Sequence, residues 1–139
     1  MLKIEYLSNG EIPFWKSLDR HISESELLLK IRERRAYIVK DDDQPIGVLR
    51  YNLFWDLIPF LTLIYFVEPF RNKGFGTQAM LHWENEMRSL GHKLVMTSTM
   101  VEETSQHFYR KLGYKDCGSL IKPFPPFEET MEMFMMKQI

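Results

Sequence analysis

The stretch from Phe60 to Gly91, FLTLIYFVEPFRNKGFGTQAMLHWENEMRSLG, constrains the fold more than any other part of this chain. Leu61, Leu63, Tyr65 and Val67 fall on one face of an extended strand; Phe60, Ile64 and Phe66 fall on the other. Both faces are apolar, so the strand is expected to be central and covered on both sides. The period then changes from two to 3.6. Met80, Trp83, Met87 and Leu90 share one helical stripe, with Glu84, Glu86 and Arg88 mostly off it, and Gly91 is the residue type expected just past a helix end.

Between strand and helix lies Arg71-Asn72-Lys73-Gly74-Phe75-Gly76-Thr77. Glycines allow a close backbone approach that a Cβ blocks. The first turn of a helix carries unpaired N–H groups and partial positive charge, and Arg71 and Lys73 add to it, so the loop reads as a phosphate cradle. Three cradle types compete. A P-loop needs Lys-Ser/Thr after its last glycine, which Thr77-Gln78 does not supply. GFGTQA matches the dinucleotide fingerprint in its G-x-G-x-x-A form, but Glu68 to Lys73 intervene after the apolar run. The segment Lys93 to Met100 also lacks the carboxylate that fingerprint requires. The third reading is Arg-x-x-Gly-x-Gly after a strand ending Val67-Glu68-Pro69.

That third arrangement resembles the coenzyme A loop of the GNAT superfamily of N-acetyltransferases. Ser105 to Tyr114, SQHFYRKLGY, is similar to the superfamily's late helix, which ends in Tyr-x-x-x-Gly-Phe/Tyr. The two signatures stand in the right order with a strand-sized segment between them. Residue-level matching covers Val67–Ala79 and Ser105–Tyr114; the order of elements extends the resemblance to nearly the whole chain. The resemblance implies an acyl-CoA N-acyltransferase fold, a mixed α/β sheet of about seven mostly antiparallel strands flanked by about four helices, its central strand splayed from a neighbour. It implies an acetyl-CoA-dependent transferase with coenzyme A as product and no metal. Its cofactor set would be Phe66, Val67, Arg71, Asn72, Lys73, Gly74, Phe75, Gly76, Thr77 and Ser105. Phe66 and Val67 would act through amides freed where the strand diverges, and a free N–H aimed at a developing oxyanion accelerates acyl transfer.

The resemblance makes Tyr109 the acid that protonates the departing thiolate. A phenol near ~10 can donate to a sulfur whose conjugate acid lies near ~8.5. The competing reading is a tyrosine of an amphipathic helix packing with Phe108 and Tyr114. For the base, Glu68 and Asp56 are the carboxylates at hand, and each also reads as an ordinary loop carboxylate. Tyr51, Trp55 and Asp56 fall where the family places its acceptor pocket, so the partner is a small-molecule or peptide amine; aromatic core packing is the alternative. Two positions depart from the family pattern. Glu102 stands where a small polar asparagine is common, and Ser105 where alanine is frequent. A homodimer is a state common in the family. Two other readings stay open: an inactive acyl-CoA-binding or sensory domain of the same fold, and a dinucleotide-binding protein built on GFGTQA.

At 139 residues the chain has the size of a single domain. A net charge of −1 gives no general surface for nucleic acid or anionic membrane. One cysteine, Cys117, excludes an internal disulfide and suits a reducing compartment; the N-terminus has no signal-like apolar run. The longest uncharged run, Leu57 to Val67, is far short of the roughly 20 residues that span a bilayer, so a cytoplasmic protein is expected.

Elsewhere, Leu2 to Leu7 reads as a first strand. Pro13 opens a helix with Phe14, Leu18 and Ile22 on one face. Ser23-x-x-Glu26 caps a second helix burying Leu27, Leu28 and Ile31. Arg32, Arg34 and Arg35 read as its solvated basic end. Asp41-Asp42-Asp43-Gln44 is a hydrated hairpin tip, without the spacing of a calcium loop. Met131, Met133 and Met135 alternate as a core-facing stripe. No histidine shows metal-ligand spacing, and His82–Glu86 reads as an i,i+4 surface pair.

Overall fold

The computed structural model describes the backbone of residues 1–139 and every side chain except those of Glu129 and Thr130. The strands are β1 (Leu2–Tyr6), β2 (Ala36–Asp41), β3 (Gln44–Phe54), β4 (Ile58–Phe66), β5 (Leu94–Met100), β6 (Lys115–Lys122) and β7 (Glu129–Gln138). The helices are α1 (Ile12–Leu18), α2 (Glu24–Arg32), α3 (Phe75–Ser89) and α4 (Ser105–Lys111). The sheet is seven-stranded in the order β1-β2-β3-β4-β5-β7-β6, the mixed α/β architecture expected. Pairing is antiparallel in β1–β2, β2–β3, β5–β7 and β6–β7, and parallel in β4–β5. The β4–β5 register comprises only Phe60↔Met96 and Leu61↔Thr97, although β4 runs on to Phe66 and β5 to Met100. Among the described residues, no helix is long and apolar enough to cross a membrane.

The chain forms two compact units, Met1–Asn52 with Thr62–Glu86, and Leu53–Leu61 with Met87–Ile139. In the first, β2 and β3 turn at Asp42 and Asp43, whose φ of 46° and 68° match the left-handed pair of a two-residue hairpin. Ser23 Oγ accepts the Glu26 N–H at 3.2 Å, which caps α2 and supports the sequence reading. The core gathers Leu7, Trp15, Leu27, Ala36, Ile38 and Val48, with Phe14, Leu18, Ile22 and Ile31 packed against it. Two expectations need correction. Ile22 packs there from beyond α1, which stops at Leu18, and Leu28 is 44% exposed because only Leu27 of that pair faces inward. The helix stripe holds for Met80, Trp83 and Met87, all 1% exposed or less, but Leu90 lies past the end of α3 and is 62% exposed. Glu84, expected off the stripe, is buried.

β4 is central, yet its cover is incomplete. Leu61 and Phe66 are buried, whereas Thr62 is exposed and Tyr65 is 41% exposed. Thr62 Oγ1 donates to Asn52 Oδ1 at 2.7 Å, and the Tyr65 ring is overlaid by Arg71 instead of by core. In the second unit, Phe54, Phe60 and Phe134 form a ring cluster with centroid separations of 5.9 to 6.5 Å. Met135 and Met133 are buried as the alternation requires, but Met131 is 37% exposed near the start of β7.

Asp19, which no sequence pattern marked, ties α1 to the sheet. Its Oδ2 accepts from the Trp15 indole N–H at 3.0 Å and from Arg50 Nε at 2.8 Å, and its Oδ1 accepts the His21 N–H at 3.1 Å. Asp19 is 2% exposed and the Arg50 side chain 11%, so little water reaches the pair to replace the carboxylate. Asp19→Ala is expected to lower unfolding stability by about 3–5 kcal/mol, because it strands Arg50 beside a buried indole N–H. Urea unfolding should show a lower midpoint at an unchanged slope; an unmoved midpoint contradicts the tie.

Candidate functional site

The loop after β4 is built by three local causes. A short 3-10 turn at Glu68–Phe70 contains Pro69, which cannot extend the strand's ladder. Asn72 and Gly74 then take left-handed φ values of 59° and 84°, turning the chain into α3. A Cβ built on Gly74 meets nothing within 4 Å, so the loop is open there. Rings of Phe70 and Phe75, 6.2 Å apart, brace the two ends of the turn. The bond from the Gln78 N–H to the Gly74 carbonyl, at 3.2 Å, opens the helix. The amides of Phe75, Gly76 and Thr77 precede it and have no carbonyl to receive them within the helix. Lys73 is exposed, with Nζ 5.9 Å from the Phe70 ring centroid. Open backbone donors, positive charge and a helix start together suit a phosphate-bearing anion.

Arg71 is placed differently from the sequence expectation. Its Nε donates to the Phe66 carbonyl at 2.9 Å, and its NH2 group donates to the Tyr65 hydroxyl at 2.7 Å. Its guanidinium carbon lies 4.7 Å from the Tyr65 ring centroid. The side chain is therefore folded back onto β4. Val67 also departs from expectation: its N–H donates to the Ile46 carbonyl at 2.8 Å and is not free for a ligand. Of the two strand-end positions proposed from the resemblance, only Phe66 keeps an amide that β3 does not claim by this bond. The reason is long-range, since pairing to β3 fixes which way each amide points.

Tyr109, on α4, is 6% exposed. Its ring lies 5.3 Å from Phe108 and 5.7 Å from Tyr114, the packing of the competing reading. Burial pushes its phenol up to about 12, with a hydrogen bond to Thr97 pulling the other way. Thr97 in turn donates to the Leu61 carbonyl at 3.1 Å. A phenol raised in this way stays protonated at physiological pH but is a weaker acid than an ordinary tyrosine, so the burial that packs the ring keeps the proton available and makes its transfer harder. Ser105 Oγ lies 2.9 Å from Thr99 Oγ1 and 3.2 Å from the Glu103 carboxylate, which occupies it at the start of α4.

Glu68 is exposed in its 3-10 turn. Trp55 and Asp56 sit at a tight turn with φ of 55° and 61°; Trp55 is 76% exposed and Asp56 is exposed. Tyr51 is 5% exposed, stacked with Tyr37 at 6.3 Å and tilted against Trp83 at 5.7 Å, so it is a core ring and offers an acceptor no surface. The basic end of α2 is occupied locally, Arg32 pairing with Glu33 at 3.3 Å and Arg34 lying over the Tyr6 ring. Glu86 does more than pair with His82, since it also accepts the hydroxyls of Tyr6 and Tyr37. Among the described residues, no group of three or more metal-ligating side chains is gathered. Gly47 and Thr97 escaped the sequence reading, and Tyr65 entered it only as part of one strand face. Gly47 alone carried a signal, because a glycine inside a strand often marks a close approach.

Residues 4–114 match the sequence model of the acetyltransferase (GNAT) family. Curated proteins give no match. Among solved structures, Ard1 from Thermoplasma volcanium superposes with a TM-score of 0.84 at 16% identity, covering 99% of this chain and 97% of its own. The ribosomal-protein-S18-alanine N-acetyltransferase from Escherichia coli gives 0.83 at 16%, covering 100% and 94%. A GNAT family acetyltransferase from Elizabethkingia anophelis, with acetyl-CoA bound, gives 0.81 at 18%, covering 99% and 98%. At such identities these neighbours attest the fold.

Proposed function

The chain belongs to the GNAT acetyltransferase family and is an N-acetyltransferase, and on that premise we propose that it moves an acetyl group directly from acetyl-CoA to a primary amine of a small molecule or peptide, with Tyr109 as general acid. The observation carrying this reading is the open turn at Asn72–Gly74, which delivers first-turn amides free of helical partners. Bound acetyl-CoA supplies an activated acetyl group as its thioester. The chain supplies the rest. The amides of Phe75, Gly76 and Thr77, with the Lys73 ammonium, hold the diphosphate, and the Phe66 backbone lines the pantetheine arm.

The amine nitrogen bonds to the acetyl carbon, the carbon–sulfur bond breaks, and Tyr109 gives its phenolic proton to the sulfur. The proton shed by the amine passes to water or to an exposed carboxylate, Glu68 or Asp56, and solvent reprotonates the phenol. Holding both substrates in register removes much of the entropy from the barrier, roughly 7–11 kcal/mol at best. Exposed Trp55 beside exposed Asp56 offers an aromatic face and a negative charge, which suits a cationic amine with an apolar body. The Escherichia coli neighbour is named for acetylating a protein's alanine, which supports a peptide terminus as one acceptor class.

One observation favours a second reading, an acyl-CoA-binding domain without turnover: Tyr109 is packed between two rings and only 6% exposed. Two variants separate the readings. Gly76→Val puts a branched side chain where the backbone meets the ligand. Isothermal titration should show acetyl-CoA affinity falling at least about tenfold, and unchanged affinity in a folded variant refutes the cradle. Tyr109→Phe should lower kcat by about 10²–10⁴ with acetyl-CoA binding kept. In the wild type the phenol holds its proton to about 12, so raising the pH through the ordinary tyrosine value near ~10 should cost kcat nothing through this group. Full activity of Tyr109→Phe on a panel of amines contradicts the assignment, whereas an alkaline fall near ~10 that the substitution abolishes contradicts only the raised value of the phenol.

A further inference from the structure

We infer that Arg71 is a positioning residue whose guanidinium clamps the C-terminal end of β4, with Gly47 as the seat that makes the clamp possible, and that its side chain is not a phosphate ligand. The inference rests on the acetyl-CoA reading of the loop.

Phe66 is held from three directions. Its ring lies flat on β3, where a Cβ built on Gly47 would stand 2.5 and 2.7 Å from two ring carbons, closer than real Cβ atoms come. Its carbonyl takes the Arg71 Nε–H at 2.9 Å. The next amide, Val67 N–H, is tied to the Ile46 carbonyl at 2.8 Å, beside Gly47. Arg71 uses a second donor on the Tyr65 hydroxyl at 2.7 Å while its guanidinium carbon lies over the Tyr65 ring, 4.7 Å from the centroid. Stacking and forked donation at once need a planar guanidinium; a lysine ammonium keeps the charge and loses both. The carbonyl that Arg71 occupies belongs to the residue whose backbone lines the pantetheine arm. The clamp therefore acts at the thioester end of the cofactor, and a phosphate contact would act at the other end.

S-acetylpantetheine separates the two roles, because it carries the thioester and pantetheine arm without diphosphate or nucleotide. Arg71→Ala should lower kcat/KM by the same factor on acetyl-CoA and on S-acetylpantetheine, about tenfold or more for a lost charge-assisted bond. Arg71→Lys should fail to restore either, and Gly47→Ala, which displaces the Phe66 ring from the opposite side, should reproduce the equal losses. Hydrogen exchange gives a readout that needs no cofactor. The Val67 amide should exchange at least about tenfold faster in ligand-free Arg71→Ala than in the wild type, as expected where a local tie is lost. A loss confined to acetyl-CoA and rescued by lysine, or unchanged exchange at Val67, overturns the clamp. A wild type inactive on both thioesters retires the acetyl-transfer reading instead, and leaves the exchange result to decide the clamp. If Arg71→Ala does not fold, Arg71→Lys carries both measurements, since it keeps the charge and loses the fork.

Discussion

An α-helix always begins with amides that have no carbonyl to receive them, and the protein is organised around where those of α3 are spent. Most helices hand such groups to a capping side chain or to water. Here the turn into the helix runs through left-handed Asn72 and Gly74, and the space beside Gly74 is empty. That geometry places the start of the helix at an open turn. The rest of the first unit serves to hold the turn still. Phe70 and Phe75 brace its ends, Met80 and Trp83 anchor α3 in the core, and β3 grips the strand that leads in.

A central strand gains its stability from neighbours on both sides. The last residues of β4 are tied to β3 at Val67 and to Arg71 at the Phe66 carbonyl. A motif arginine, naturally read as a charge for phosphate, here satisfies the Phe66 carbonyl and covers the exposed Tyr65 ring. Lys73, whose ammonium is exposed, is the charge of the pair left to meet an anion.

The order of elements was legible because each carries its own period, and because Ser23, Pro13 and the aspartate hairpin punctuate the chain where caps and turns require. The turn from β4 into α3 was legible for a similar reason, its glycines and the change of period being written in consecutive residues. The misreadings share a different cause. Leu90, Leu28 and Met131 obey the apolar periodicity, but the pattern does not say where a helix stops or which part of an element is covered. Tyr51 lies at a plausible acceptor position in sequence and is absorbed by Trp83 and Tyr37, which are remote in the chain. The Val67 amide was misassigned because its direction depends on β3 pairing, and Asp19 went unseen because Arg50, its main partner, lies 31 positions away. Tyr109 packs as the core-tyrosine reading requires. The ring packing of an ordinary core tyrosine is also what keeps its proton in place to about 12.

The central claim is that the start of α3 is an anion receptor built from main-chain donors. A titration of nitrogen-labelled protein with acetyl-CoA, followed by amide resonances, tests it most directly. The account expects the amides of Phe75, Gly76 and Thr77 to move furthest, with the amide of Phe66 following and that of Val67 nearly still. Saturating ligand that leaves the Phe75–Thr77 signals unmoved while others shift would contradict it.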